Sequence, residues 1–380
     1  MSIGNRRCTV VAALLATLAG GTALAAEKYE VAVIRWAPED IYFNGVQLGQ
    51  EMECDRIMKE DGVEIEFRVF GANDVSAQRN ALDALISRGV DGVLMVPWRG
   101  EAMRGVVNQL HDDGIPVVIS NNMVPGARQT FVAFDNETAG RQGAEALVKR
   151  LTELRGADWA DKGGVIIELR CVITASADID RHDGYRSVLD PIVAEHSGVS
   201  VEVNEAGCAG GKARKAVDDI IARHGPEQIL AVISIDGTMG VGGAVPAFQA
   251  QGMLVPPDDP KHIPIITIDG TMPELEALER GHIDTVMVQP AFGEGIMSMR
   301  LLYDMMKSGK MLEAPAEPQK LYADGDELWM PVEVLPFDQF DGPWYRIQTY
   351  GVPHDVSPKD PRNWAVQMSE QGAAQPEGAN

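Results

Sequence analysis

The sequence predicts an α/β protein built of two doubly wound parallel-sheet lobes. Three observations predict it. Strand-like and helix-like stretches alternate along most of the 380 residues. Strands such as Gly92-Val93-Leu94-Met95-Val96 and Ala231-Val232-Ile233-Ser234-Ile235 are apolar on both faces, as parallel strands sandwiched between helix layers must be. The alternation also restarts near Val165 after one long helical stretch, and about 350 residues suffice for two cores.

Taken in order, the first half reads as strands over 30–35, 63–70, 92–96, 116–120 and 130–134, with helices over 44–60, 75–88, 101–112 and 138–154. Gly114 closes the third helix, as a residue free to turn left-handed does. The second half reads as strands over 165–169, 199–204, 231–235, 263–268 and 284–288, with helices over 183–196, 211–223, 241–251, 272–280 and 293–307. After Gly309 the chain is rich in Pro, Asp, Gly and Trp, and irregular packing is expected there, with disorder from about Ser369.

The first residues read as an export signal. Arg6 and Arg7 precede an apolar run over 9–19 that is too short to anchor a helix in a bilayer, and Ala23-Leu24-Ala25 fits the small-x-small cleavage pattern. Cys8 lies before that run, outside any lipid-attachment context. A soluble exported protein is therefore expected, cleaved near Ala25. The net charge of −23 repels phosphate backbones and anionic membrane surfaces, so no nucleic-acid partner is expected. Three cysteines follow the signal, Cys54, Cys171 and Cys208. One disulfide with one buried thiol and three buried thiols are both open readings.

Catalysis finds no support in the residues. There is no nucleophile–base pair, no G-x-G-x-x-G loop after the first strand and no His/Asp/Glu cluster at metal-ligand spacing, so neither metal nor cofactor is expected. In open α/β sheets, ligands bind beyond the carboxyl ends of the strands, which directs the search to the loops there.

Those loops carry a resemblance. Arg88-Gly89-Val90-Asp91-Gly92-Val93-Leu94-Met95-Val96-Pro97, Gly114-Ile115-Pro116-Val117-Val118, Phe134-Asp135-Asn136 with Gly140, Arg181-His182-Asp183-Gly184-Tyr185, Ile268-Asp269-Gly270-Thr271 and Gln289 follow one another in the order found in periplasmic sugar-binding proteins of the ribose-binding-like family. The chain resembles that family from about Tyr29 to Gly309. The resemblance implies the type I periplasmic binding protein fold, two lobes joined by a three-strand hinge, and the substrate-binding role in an ABC importer. It also implies boundaries: signal 1–25, an N-terminal lobe of 27–135 plus 290–316, a C-terminal lobe of 136–289 plus 317–350, and a tail over 351–380. The crossings are expected near Asp135-Asn136, near Gln289-Pro290 and over 315–318.

By the same resemblance, the aromatic pair Tyr42 and Phe43 stacks on a sugar ring, core packing being the alternative. Trp36 and Trp98, after the first and third strands, are further ring candidates. Arg181 offers a forked donor to ligand oxygens, against a surface ion pair. Asp236 stands near a family Asn-Asp pair whose first member is Ile235 here. Asp269 accepts from ligand hydroxyls, against a helix cap. Gln289 both donates and accepts. Asn121-Asn122 replaces a family Asp-Arg pair, which removes a charge-assisted grip, and Cys208 stands where relatives carry a ring. A ribose-like ligand is thus not a safe inference, and a small sugar or polyol is the expectation. Cys171 and Cys208 follow neighbouring strands of the second lobe, and a disulfide between them is expected.

The functional expectation is non-catalytic. A small hydroxylated solute is captured between the lobes, hinge closure follows, and the closed form is recognised by an ABC permease. The alternative is a receptor feeding a chemoreceptor or sensor kinase. A transcription-regulator effector domain would need a DNA-binding head where the signal stands.

Overall fold

The computed structural model describes residues 4–6, 26–36, 39–322, 332–353 and 363–370. The expected cleavage point at 23–25 and the residues beyond Glu370 lie outside these. The chain divides into two compact units. One comprises Met1–Ala133 with Ala291–Ile347, the other Phe134–Pro290 with Gln348–Asn380.

The first unit begins with β1 (Gly4–Arg6), β2 (Lys28–Arg35), α1 (Ile41–Asp61), β3 (Glu64–Gly71), α2 (Val75–Ile86), β4 (Gly92–Met95), α3 (Gly100–Asp112), β5 (Val117–Ser120) and β6 (Thr130–Phe134). Strands β3, β2, β4, β5 and β6 lie side by side in that order, all parallel. Alternate side chains feed two cores. Val31, Val33, Leu94, Val118 and Val132 enter one, while Ala32, Ile34, Val93, Met95 and Ile119 enter the other. The apolar character of both faces in the sequence follows from this double burial.

The second unit repeats the plan. It contains α4 (Asn136–Arg155), β7 (Gly164–Arg170), α5 (Ser176–Glu195), β8 (Val199–Glu205), α6 (Gly210–His224) and β9 (Ile229–Ser234). Then α7 (Gly237–Met239) runs through a π-turn at Gly240–Ala244 into α8 (Val245–Ala250), and β10 (Ile265–Asp269), α9 (Met272–Glu279) and β11 (Thr285–Val288) follow. Strands β8, β7, β9, β10 and β11 are parallel in that order. Helix α5 starts seven residues before the expected 183, so Arg181 lies within the helix. Its first turn lacks the apolar periodicity that marks a helix in sequence.

The chain then returns to the first unit with α10 (Ala291–Ser308), whose Met297, Met299, Leu301 and Leu302 enter the core also lined by Val31 and Val33. Here one expectation is corrected. Residues 317–347 do not belong to the C-terminal lobe, and the third crossing is at Ile347–Gln348, not 315–318. The strands β12 (Gln319–Tyr322), β13 (Val332–Pro336) and β14 (Pro343–Ile347) form an antiparallel meander that extends the first sheet beside β6. Val332, Val334, Tyr345 and Ile347 bury into its core, and Trp344 Nε1 donates to Ala133 O at 3.3 Å. This alternation of buried residues holds β13 and β14 there, and the described residues 319–322, 332–336 and 343–347 are sheet where irregular packing was expected.

Part of the tail expected over 351–380 packs on the second unit. β15 (Tyr350–Pro353) adds antiparallel to β11, and α11 (Trp364–Glu370) buries Trp364, Ala365 and Met368 in the second unit. Ser369, where disorder was expected to begin, lies within α11.

Both units bring helices into near backbone contact. In the second unit, α4 and α5 touch through Gly140 and Gly184. A Cβ at 140 would stand 2.2 Å from Arg181 O, and one at 184 would stand 2.2 Å from Glu137 O. Only glycine permits this approach, and it fixes the height of Arg181 above the sheet.

Candidate functional site

Both five-stranded parallel cores have the order second, first, third, fourth, fifth. Each sheet therefore reverses its direction of growth between its first and third strands, at β2/β4 and at β7/β9. Such reversals open a crevice beyond the strands' carboxyl ends, where α/β sheets take ligands.

In the first unit this position is aromatic. Trp36 follows β2 and Trp98 follows β4, and their rings approach to 4.4 Å between centroids. Phe43 lies 5.0 Å from Trp36, and Tyr42 lies 5.1 Å from Phe43. Asp40 caps α1 by accepting from Phe43 N at 3.2 Å, which sets both rings at the helix start. Trp36 Nε1 donates to Pro97 O at 3.2 Å, and Asn122 Nδ2 donates to the same oxygen at 3.4 Å. Five of the expected residues thus form one contact set. Asn121, the residue before Asn122, instead places its N–H on Val132 O and has φ at 63°. Trp98 is half-buried, and the other members are buried.

Two residues that sequence reasoning missed hold this set. Gln78, wholly buried in α2, donates through Nε2 to Arg35 O and Val96 O and accepts from Trp98 N at 2.8 Å. It staples the ends of β2 and β4 together. Arg35 closes β2 and donates to Gln47 Oε1 at 2.8 Å. Burial pulls its guanidinium down to about 10, with Asp40, Glu51 and Glu39 opposing, so it stays charged at neutral pH. Neither residue falls in a motif, and a polar residue in a helix pattern carries no signal of its destination.

In the second unit the position is ionic. Arg181 donates from Nε to Asn136 Oδ1 at 2.8 Å, from Nη1 to Ile235 O at 2.6 Å and from Nη2 to Gln289 Oε1 at 2.7 Å. Asp269 Oδ1 stands 3.7 Å from Nη1, and the guanidinium lies over the Phe134 ring at 5.2 Å. The expected Arg181, Asp269 and Gln289 are therefore brought together, and Asn136 is an additional member. The guanidinium is buried within this network, which sets it apart from an exposed ion pair. Asp236 stands beside it in sequence order after β9 and caps α7 by accepting from Met239 N at 2.7 Å. Asp269 Oδ2 accepts from Gly237 N at 3.0 Å, so it does not cap the helix that follows. That cap is a reciprocal box between Thr271 and Glu274.

Burial pushes the Asp269 carboxyl well above the usual carboxylate range. Repulsion from Glu274 and Asp236 adds to this, while Arg181 and the Gly237 amide oppose it. Glu274 is raised too, by burial, against hydrogen bonds from Thr267 and Thr271. Behind the site, Glu168 receives His182 Nδ1 at 2.6 Å.

Cys171 and Cys208 are joined as a disulfide that links the loops after β7 and β8, and Cys54 is a buried free thiol. The two sulfurs and an Asp236 oxygen lie within 4.8 Å of one another. As the sulfurs are bonded together they are not thiolates, so the group does not suit a metal ion. Backbone strain also collects here. Among the described residues, three non-glycines have positive φ: Asn121, Cys208 and Asp269, the last at 149°. All three lie at strand ends, where strain marks functional loops.

With this geometry in place, comparison with known proteins fixes the class. A model of the periplasmic binding protein domain matches residues 31–311, and the chain belongs to that family, whose members are non-enzymatic substrate-binding components of transport systems. The ribose import binding protein of Bacillus subtilis is 25% identical over 281 residues, 74% of this chain and 82% of that protein. The xylitol-binding protein of Mycolicibacterium smegmatis is 28% identical over 213 residues, 55% of this chain and 54% of that one. Among solved structures, an ABC transporter solute binding protein from Bacillus halodurans C-125 with bound myo-inositol has a TM-score of 0.65. It is 22% identical, and the match covers 93% of this chain and 100% of that chain. A galactofuranose binding protein has a TM-score of 0.67 at 15% identity, covering 90% of this chain and 99% of that one. These likenesses are of fold, the type I periplasmic binding protein fold.

Proposed function

We propose that this protein captures a small uncharged sugar or polyol in the periplasm and delivers it to the permease of an ABC importer. Aromatic rings such as those after β2 and β4 suit the C–H face of such a solute, and side chains such as Asp236, Asp269 and Gln289 of the second unit suit its hydroxyls. Arg181 sets the orientation of Gln289 and lies beside the Asp269 carboxyl, while its remaining N–H groups donate to ligand oxygens.

The observation that supports this reading most is the Arg181 network. Four side chains from separate elements converge, buried, beyond the ends of parallel strands, where the fold itself takes ligands. The neutral amides Asn121 and Asn122 beside aromatic rings favour an uncharged guest in the first unit. Relatives named for ribose and xylitol are consistent with this class. Recognition of the loaded form by a chemoreceptor is a secondary reading, and cleavage near Ala25 belongs to the same proposal.

A thermal-shift panel of D-ribose, D-xylose, xylitol and myo-inositol tests it. A bound solute at a hundred times its Kd adds about 2.7 kcal/mol of stability. Asp269→Asn keeps an oxygen for Gly237 N–H and replaces the second carboxyl oxygen by an amide nitrogen that cannot accept, so it should fold and lose the shift. A panel without any shift, or an unaltered shift in Asp269→Asn, overturns the assignment.

A further inference from the structure

We propose that Trp364, in the final helix, is a positioning residue that holds the Asp269 and Gln289 ends of the second sheet in their binding conformation. The inference rests on the reading that Asp269 and Gln289 are ligand groups, and it assigns their support to a segment beyond residues 31–311, the span that the family model covers.

The carbonyl oxygen of Asp269 accepts two donors. One is the Gln289 N–H at 3.1 Å, and the other is Trp364 Nε1 at 3.1 Å. A single atom therefore ties together two expected ligand residues and the C-terminal helix. Asp269 needs such a tie, because φ of 149° is unfavourable for a residue with a side chain and persists only where the surroundings over-determine it. The next residue, Gly270, sits at φ 83°, and a Cβ there would lie 3.4 Å from Trp364 Nε1. The indole thus occupies the space against which the turn is folded. It is buried, and its N–H would lose its bond to Asp269 O if the turn moved.

The segment is anchored on the same two strands. β15 pairs with β11 so that Tyr350 stands opposite Val288, and Thr349 Oγ1 donates to Val288 O at 2.7 Å, one residue before Gln289. Tyr350 OH donates to Asn363 Oδ1 at 2.7 Å, which links β15 to the residue preceding Trp364. The end of β11 is held by β15 and the end of β10 by Trp364, with Asn363 buried between them in sequence. Trp364 acts through the backbone of Asp269, not through the ligand.

The full mature chain carrying Trp364→Phe tests this, since phenylalanine retains most of the buried ring and lacks the donor. Hydrogen exchange at 268–271 and 287–289 should quicken about tenfold while the rest of the chain exchanges as before. The Kd for whichever of D-ribose, D-xylose, xylitol or myo-inositol binds the wild type should rise about tenfold, with a thermal midpoint lowered by no more than about 4 °C. Tyr350→Phe, which unties Asn363, should give a smaller change at the same peptides. Unchanged exchange at those peptides, a uniform rise over the whole chain, or faster local exchange with unaltered affinity would each overturn the proposal. If the wild type binds no member of the panel, the proposed function falls, and the exchange measurement still decides whether Trp364 holds the turn.

Discussion

Arg181 donates from Nη2 to Gln289 Oε1 at 2.7 Å, across 108 positions of sequence. With its bonds to Asn136 and Ile235, this makes the guanidinium a keystone of the second unit as well as a donor facing the site. Arg181→Ala should therefore cost stability of about 2–4 kcal/mol, because three acceptors lose their donor in a buried place. Arg181→Lys should recover little of it, since one ammonium does not span three divergent acceptors. Urea denaturation of both variants checks the order: wild type, then lysine, then alanine.

Gly140→Ala should destabilise by about 1–3 kcal/mol and weaken solute binding, because residue 140 packs against the backbone of Arg181 and not against the solute. The added methyl collides with Arg181 O, so α5 must shift and carry the guanidinium with it. Calorimetric unfolding measures the first effect and solute titration the second. Full affinity in a folded Gly140→Ala protein would contradict this coupling between the helix contact and the site.

The Cys171–Cys208 link closes a separation of 37 residues. Replacing both cysteines by serine should lower stability by about 3–4 kcal/mol through the freed unfolded chain. It should also loosen the loop that carries Asp236's neighbours. Thermal unfolding with and without a dithiol reductant should reproduce the loss in wild type and show none in the double variant.

Asp180 gives the pH signature. Burial pushes its carboxyl up to about 7, with Glu137, Asp183 and Asp135 adding and Arg181 opposing. A raised carboxylate retains its proton in the folded state after the unfolded chain has released it. Stability is then fully present below the unfolded value near 4 and is lost as pH climbs to about 7. Asp180→Asn should remove that loss, gaining about 1–2 kcal/mol at pH 8, where partial solvent access reduces the effect. No gain should appear at pH 4. Thermal midpoints across this range decide it, and an equal gain at both ends would dismiss titration of Asp180 as the cause.

The two parallel cores were legible because burial on both faces of a strand leaves a continuous apolar run, and 92–96 and 231–235 carry one. The strand-end residues were legible because motif order fixed them, as with Asp269 and Gln289. What escaped notice depends on partners far away in sequence. Gln78 sits in an ordinary helix pattern, yet its amide serves Arg35, Val96 and Trp98. The β12–β14 meander has alternating residues, but nothing local says which sheet it will extend. Trp364 reads as one aromatic in a polar tail, and its meaning lies in an oxygen 95 positions earlier.

The first unit is stitched from two segments far apart in the sequence. Arg300 reaches Glu53 across 247 residues, and α10 completes a core begun by β2. The ribosome must therefore have passed α10 before this half can close. Until then, long-loop closure keeps the nascent strand open, which suits threading through a translocation pore and delays collapse to the far side.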